Sequence, residues 1–218
     1  MNKAKKMNKT FVLKRNHVLV LRTCNADLSS YNDFRWPEKG KVSCSDWNPV
    51  ALCGHGLHGL LWGQGDGSYM NWDIDAKWLV VQVLKKEIVD LTGKVKFPKA
   101  EVVFCGDRSG AAKLVGAFAP AGTVIVGGTA TAGERGTATA GYRGTATAGE
   151  RGTATAGDRG TATAGEHGTL AIRYWDAKKQ KYRVAIAETG ECGIKPGTPY
   201  KFENGKFAEQ TIQKKKVA

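Results

Sequence analysis

Residues 128–167 are five consecutive octapeptides, GTATAGER, GTATAGYR, GTATAGER, GTATAGDR and GTATAGEH, followed by a decaying sixth that begins at Gly168-Thr169. A fixed short period means one structural unit stacked on itself, so this block constrains the fold before any single residue does. Within a unit, side chains of an extended segment alternate faces, placing threonines on one side and alanines on the other. The Gly-Glu-Arg-Gly that follows reads as a tight corner, with Gly133 and Gly136 supplying positive φ and Glu134 and Arg135 solvated between them. Strand, corner, strand, corner is the outline of a short β-solenoid with two octapeptides per coil.

A helix is excluded by two glycines and two β-branched threonines in every unit. Disorder is the competing reading, because Gly, Thr and Ala bury little apolar area against a backbone ordering cost of about 1–2 kcal/mol per residue. Strict register and flanking segments able to cap both ends favour order. Alanine inward gives a thin core between close sheets, whereas threonine inward would bury ten hydroxyls that each need a partner. The candidate binding residues are therefore the outward ladders of Thr129, Thr131, Thr137, Thr139, Thr145, Thr147, Thr153, Thr155, Thr161 and Thr163. At the corners Arg135, Arg143, Arg151 and Arg159 join them, each beside an acid except where Tyr142 replaces it. With a sixteen-residue coil, Glu134, Glu150 and Glu166 stack in one column, and Tyr142 and Asp158 in the other.

The Gly-Thr-Ala-Thr-Ala-Gly unit resembles half of the longer repeat of bacterial ice-nucleation proteins, in which a Thr-x-Thr pair recurs on a β-solenoid and orders water. That resemblance covers residues 128 to about 169 and implies ice or ordered-water binding through the threonine ladders. The few coils, the acid-base corners and the long non-repeat segment ahead of the block depart from that pattern.

The formal charge of +13 sits at the two ends: residues 1–22 hold seven Lys or Arg and no acid, and residues 173–218 hold eleven against five acids. Basic tails over 1–10 and 209–218, including Lys214, Lys215 and Lys216, offer salt-sensitive contact with polyanions. No apolar run approaches the roughly 20 residues of a membrane span. No signal peptide is recognised, and five irregularly spaced cysteines suggest no disulfide framework, so the cytoplasm is the expected compartment.

Residues 11–127 read as an α+β head. His17–Arg22, Lys77–Leu84, Glu87–Leu91 and Lys94–Cys105 have the composition of strands, and Asp107–Phe118 that of a short helix capped by Asp107. Trp36, Trp47, Trp62 and Trp72 suit the core of a loop-rich domain. The segment Cys53-Gly-His-Gly-Leu-His-Gly59 invites a metal reading through Cys53, His55 and His58, but the spacing does not match the paired ligands of structural zinc sites. No cofactor is expected. The glycines around His58 suit close approach of a substrate, and a glycine-flanked histidine after a loop is similar to the first strand of ADP-ribosyltransferase-like enzymes. That gives an alternative in which the head handles a nucleotide. A buried, hydrogen-bonded His58 is the structural reading beside it.

The order of parts resembles a poorly characterised bacterial and phage family in which a small domain with a Cys…Gly-[Leu/Phe]-His segment precedes tandem octa- or nonapeptides. Here Cys53–His58, the strand after Lys77, Val95–Val103 and the repeats carry the likeness, which implies architecture and no established activity. After the repeats, a β-hairpin cap over 170–208 is expected. Leu170–Trp175 pairs with Tyr182–Ala187, and Asn204-Gly205 marks a type I′ turn. Bulky Ile172, Tyr174, Trp175, Tyr182 and Ile186 should close one end of the coil, and Val124–Val126 the other. The chain thus reads as a mainly β, non-enzymatic binding or assembly protein whose partner is a second copy or another protein.

Overall fold

The computed structural model describes residues 11–210; the terminal segments 1–10 and 211–218, with their lysines, lie outside the described residues. Seven strands form the first sheet: β1 (His17–Cys24), β2 (Gly40–Ser43), β3 (Leu57–Leu61), β4 (Lys77–Leu84), β5 (Val89–Asp90), β6 (Val95–Phe97) and β7 (Lys99–Gly106). Their order is β2-β7-β4-β1-β3-β6-β5 with every neighbour antiparallel. The central strands β1 and β4 are apolar on both faces, and both faces are covered. Leu19, Leu21 and Val80 pack under Ala111 and Val115 of helix α1 (Arg108–Gly116). Val20, Leu79 and Val81 pack on the other side against Trp36, Leu57 and Phe97. Asp107 caps α1 as expected, accepting from the Gly110 N–H at 2.8 Å.

Two expected strands change. The run Lys94–Cys105 is broken into β6 and β7 at Pro98, which has no N–H to give a ladder. Of Glu87–Leu91 only Val89–Asp90 pairs, because Lys85–Glu87 tightens into a 3₁₀ turn.

Each octapeptide contributes one four-residue strand: β8 (Thr129–Ala132), β9 (Thr137–Ala140), β10 (Thr145–Ala148), β11 (Thr153–Ala156) and β12 (Thr161–Ala164). Alternate strands pair in parallel and in register, Thr145 lying opposite both Thr129 and Thr161, and Thr153 opposite Thr137. The pairing partner is therefore sixteen residues away. Two open sheets result, facing each other through Ala138, Ala140, Ala146, Ala148, Ala154, Ala156, Ala162 and Ala164, all buried. The threonines are turned outward.

At the corners the glycines do something other than expected. None of the repeat glycines from Gly133 to Gly168 has positive φ; the left-handed residue is the basic one, Arg135, Arg143, Arg151, Arg159 and His167, at φ of 50–57°. Each corner closes with a bond from the last glycine N–H to the first glycine carbonyl, as in Gly160 to Gly157 at 2.9 Å, so the basic residue is the third of a turn that requires positive φ there. The glycines are needed for proximity. A Cβ on Gly157 would lie 2.5 Å from the Gly141 carbonyl carbon, and one on Gly165 2.6 Å from the Glu150 nitrogen.

Beyond the repeats, β13 (Thr169–Asp176) continues the second sheet and pairs with β14 (Lys181–Glu188), while β15 (Tyr200–Glu203) and β16 (Lys206–Glu209) form the hairpin around Asn204-Gly205. Asn204 and Gly205 both have positive φ, as the expected turn requires. Leu170 and Ile172 stand where earlier strands have alanine, and with Ile194 and Tyr200 they fill the far end of the alanine layer. Of the other residues expected to close that end, Trp175, Tyr182 and Ile186 are instead exposed, because the alternation of β14 turns Tyr182, Val184 and Ile186 to the outer face. Tyr174 stacks on Phe202 at 4.5 Å.

Val124–Val126 closes less than expected. Ile125 and Val126 sit against the Gly141 corner, and Tyr142 packs on Trp72 at 5.5 Å, but β8 and β9 remain unpaired sheet edges among the described residues.

Candidate functional site

Two surfaces carry the candidate residues. On the repeats, β8, β10 and β12 present Thr129, Thr131, Thr145, Thr147, Thr161 and Thr163 as one grid; β9 and β11 present Thr137, Thr139, Thr153 and Thr155 as another. The buried alanines of both sheets leave the two grids on the outer faces. The second grid continues into Thr169 and then meets Arg173, whose guanidinium lies 4.0 Å from the Tyr182 ring.

The corner arginines are not brought into one site. Arg135 and Arg151 pair with their neighbouring glutamates at 3.6 and 3.7 Å, and Arg159 with Asp158 at 4.0 Å. Such exposed pairs contribute about 0–1 kcal/mol each. Arg143 differs, lying over Trp72 at 4.8 Å beside Tyr142, where the acid is missing. That substitution, visible in the sequence as an exception, is the place where the repeats are pinned to the first sheet.

The second surface is a cleft of about 570 Å³ beside the paired strands β1 and β3, lined by Arg22, Tyr31, Cys53, His58, Tyr69 and Lys94 among others. Gly59 permits the approach of these strands, since a Cβ there would meet the Leu21 carbonyl oxygen at 2.8 Å. Cys53, His55 and His58 do not converge. Cys53 Sγ accepts from Lys94 Nζ at 3.1 Å, and that contact holds its thiol below the ordinary cysteine range. His55 turns to Asp46 at 3.6 Å. Among the described residues no group of three or more His, Cys, Asp or Glu is placed to hold a metal ion.

His58 is half-buried and its Nε2 is sealed from water without a hydrogen-bond partner. Burial, reinforced by Lys94, Arg22 and Lys96, pushes its pKa down to about 4, with the Gly56 backbone acting the other way. The unfolded chain protonates such a ring near 6.5 while the fold resists until about 4, so the stability contributed by the neutral ring is present above 6.5 and drains as pH falls toward 4. Because the ring is only half-buried the loss is about 1 kcal/mol. Urea midpoints measured from pH 7 to pH 4 should fall in the parent, and the part of that fall due to His58 should vanish in His58→Gln.

Sequence reasoning missed the cations beneath this cleft. Arg22 and Lys96 sit inside strands that read as apolar, and neither type of residue is ordinarily buried without an acid. Lys96 is 1% exposed and donates to the carbonyls of Leu52 and Gly54 at 2.8 and 3.3 Å, which fixes the loop bearing Cys53.

The profile of a family described as "Domain of unknown function (DUF7666)" matches residues 18–116, from β1 through α1, and so includes the whole cleft. The chain is also similar to proteins named "Ice nucleation protein". It is 40% identical over 105 residues to one from Xanthomonas campestris pv. translucens, covering 47% of this chain and 7% of that protein. It is 42% identical over 101 residues to one from Pseudomonas fluorescens, covering 45% and 8%, and 36% identical over 105 residues to one from Enterobacter agglomerans, covering 47% and 8%. The chain thus spans less than a tenth of the length of these curated relatives. No solved structure matches. Among the described residues no helix is long and apolar enough to cross a membrane.

Proposed function

We propose that the octapeptides form a short β-solenoid, two octapeptides to a turn, whose outer threonine faces order water and bind ice. The observation that carries this reading is the register: Thr145 and Thr147 lie directly opposite the threonines of both neighbouring strands. Register of that kind sets hydroxyl and methyl groups on a grid of about 4.8 Å between strands and roughly 7 Å along them. The threonines stand on paired strands, so ordering water on them requires no folding of a loop. The likeness to proteins named for ice nucleation supports the same reading. Three strands on one face give a patch suited to adsorbing on existing ice, where growth is slowed, and far smaller than a surface that starts a crystal.

The test is ice recrystallisation in the presence of the purified chain and of a Thr145→Lys/Thr147→Lys variant. These positions face solvent at the centre of the larger grid, so the variant should keep its circular dichroism and melting temperature while losing all inhibition. A parent that leaves recrystallisation unchanged would sink the reading.

A further inference from the structure

We propose that the cleft beside β1 and β3 binds a nucleotide, with its phosphate held by Arg22, Lys94 and His58 and its base against Tyr31 and Tyr69. The first argument is charge. Arg22 and Lys94 line the cleft and Lys96 lies beneath it, yet none of the three makes an ion pair with a carboxylate among the described residues. Among the described residues no Asp or Glu lines the cleft. Buried cations without counter-charge are costly, and an anion entering here removes that cost.

The second argument is unmet hydrogen bonding. Arg22 spends Nη1 on the His58 carbonyl at 2.7 Å and rests on Trp36 at 4.5 Å, which fixes the guanidinium, but its Nε is sealed from water with no partner. His58 Nε2 is in the same condition. Both residues line the cleft, and buried nitrogens without a partner are rare in a native fold, each forfeiting about 1–3 kcal/mol until one arrives. Among the described residues Lys94 is held by the Cys53 sulfur and the face of Tyr69, 4.4 Å away, so its ammonium has donors to spare. A phosphate accepts from several donors at once, whereas a single carbonyl would satisfy one.

The third argument is shape and exposure. Tyr31 and Tyr69, which line the cleft, are 86% and 56% exposed, and the apolar Leu60 and Met70 line it as well. Large exposed aromatics beside a phosphate-sized cationic wall suit a planar base. The volume falls within the usual range for small-molecule sites, about 300–1,000 Å³.

The measurement is isothermal titration of the full chain with AMP, inorganic phosphate and adenosine. AMP is expected to bind saturably, phosphate to bind more weakly and compete with it, and adenosine to bind weakest. Lys94→Gln, a surface change that leaves the fold intact, should weaken AMP by about tenfold or more, as loss of one charge-assisted contact implies. Arg22→Gln tests the buried contact; if it unfolds, Lys94→Gln and His58→Gln decide the matter. A triple change of Lys214, Lys215 and Lys216 to Gln should leave AMP affinity unaltered, which separates the cleft from the basic terminus. No saturable AMP binding by the folded parent, or equal affinity in Lys94→Gln, overturns the proposal. Phosphate binding as tight as AMP overturns the role given to the tyrosines.

Discussion

Gly157→Ala is expected to destabilise the protein by about 3 kcal/mol, a fall in Tm of roughly 6–12 °C for a chain of this length, although alanine is already the neighbouring residue. The added Cβ would sit 2.5, 2.6 and 2.7 Å from the carbonyl carbon and oxygen of Gly141 and the nitrogen of Tyr142. All three are backbone atoms with no rotamer to yield, so one turn of the stack must move away from the next. That movement stretches the bonds that hold the corner, such as Gly157 N–H to the Ala140 carbonyl at 3.0 Å. Gly133→Ala provides the contrast. It is the same residue in the same octapeptide position, but nothing lies within 4 Å of its Cβ, because β8 is the edge of its sheet and no earlier octapeptide stacks on that corner. Its φ is not left-handed, so alanine should be neutral or stabilising by up to about 1 kcal/mol, chiefly by restricting the unfolded chain. Paired thermal melts of the two variants check this; equal effects would show that glycine serves chain flexibility at both corners.

Tyr142→Glu restores the acid found in all four other octapeptides and should nevertheless cost about 2–3 kcal/mol. Tyr142 packs on Trp72 and against Gly67, where a Cβ would come within 2.3 Å of its ring. Its carbonyl accepts from the Gly127 N–H at 2.8 Å, and Arg143 covers Trp72 from the next position. A glutamate there would lose the aromatic contact and bring a charge toward Asp158, whose carbonyl accepts from Arg143 N–H at 2.9 Å in the same column. The expected signature is a change of cooperativity as well as of midpoint: differential scanning calorimetry should show one transition in the parent and two in Tyr142→Glu. Tyr142→Phe, which keeps the ring, should behave like the parent.

Much of the repeat is legible in the sequence. Period two within a unit and period eight between units fix which side chains share a face, and the volume of alanine against threonine decides which face is buried. The glycines were legible in place but not in purpose. A glycine needed for positive φ and one needed because a neighbour's backbone is 2.5 Å from its missing Cβ look identical in one chain, since the neighbour is sixteen residues away. The left-handed arginines were hidden for the same reason: residue preference points to glycine or asparagine at φ near 50°, and stacking overrides it. At the cap, composition gave the bulky residues and hairpin pairing correctly, but the face of β14 depends on register against β13, which sets Tyr182 opposite Trp175 and turns both toward water. The cleft in the first sheet was the least legible part. His58 stood out among its glycines, but Arg22 and Lys94 come from strand and loop positions far from it in sequence, and only strand order brings them together.

The alanine layer has a consequence for how the protein comes into being during synthesis. An alanine strand buries too little to hold itself, and in a stacked array each layer is stabilised by its neighbours. The large buried side chains of this layer, Leu170, Ile172, Ile194 and Tyr200, all follow the last complete octapeptide. The five octapeptides therefore leave the ribosome before the bulkiest residues of their own core, and the contact available to them first is the one that Tyr142 makes with Trp72.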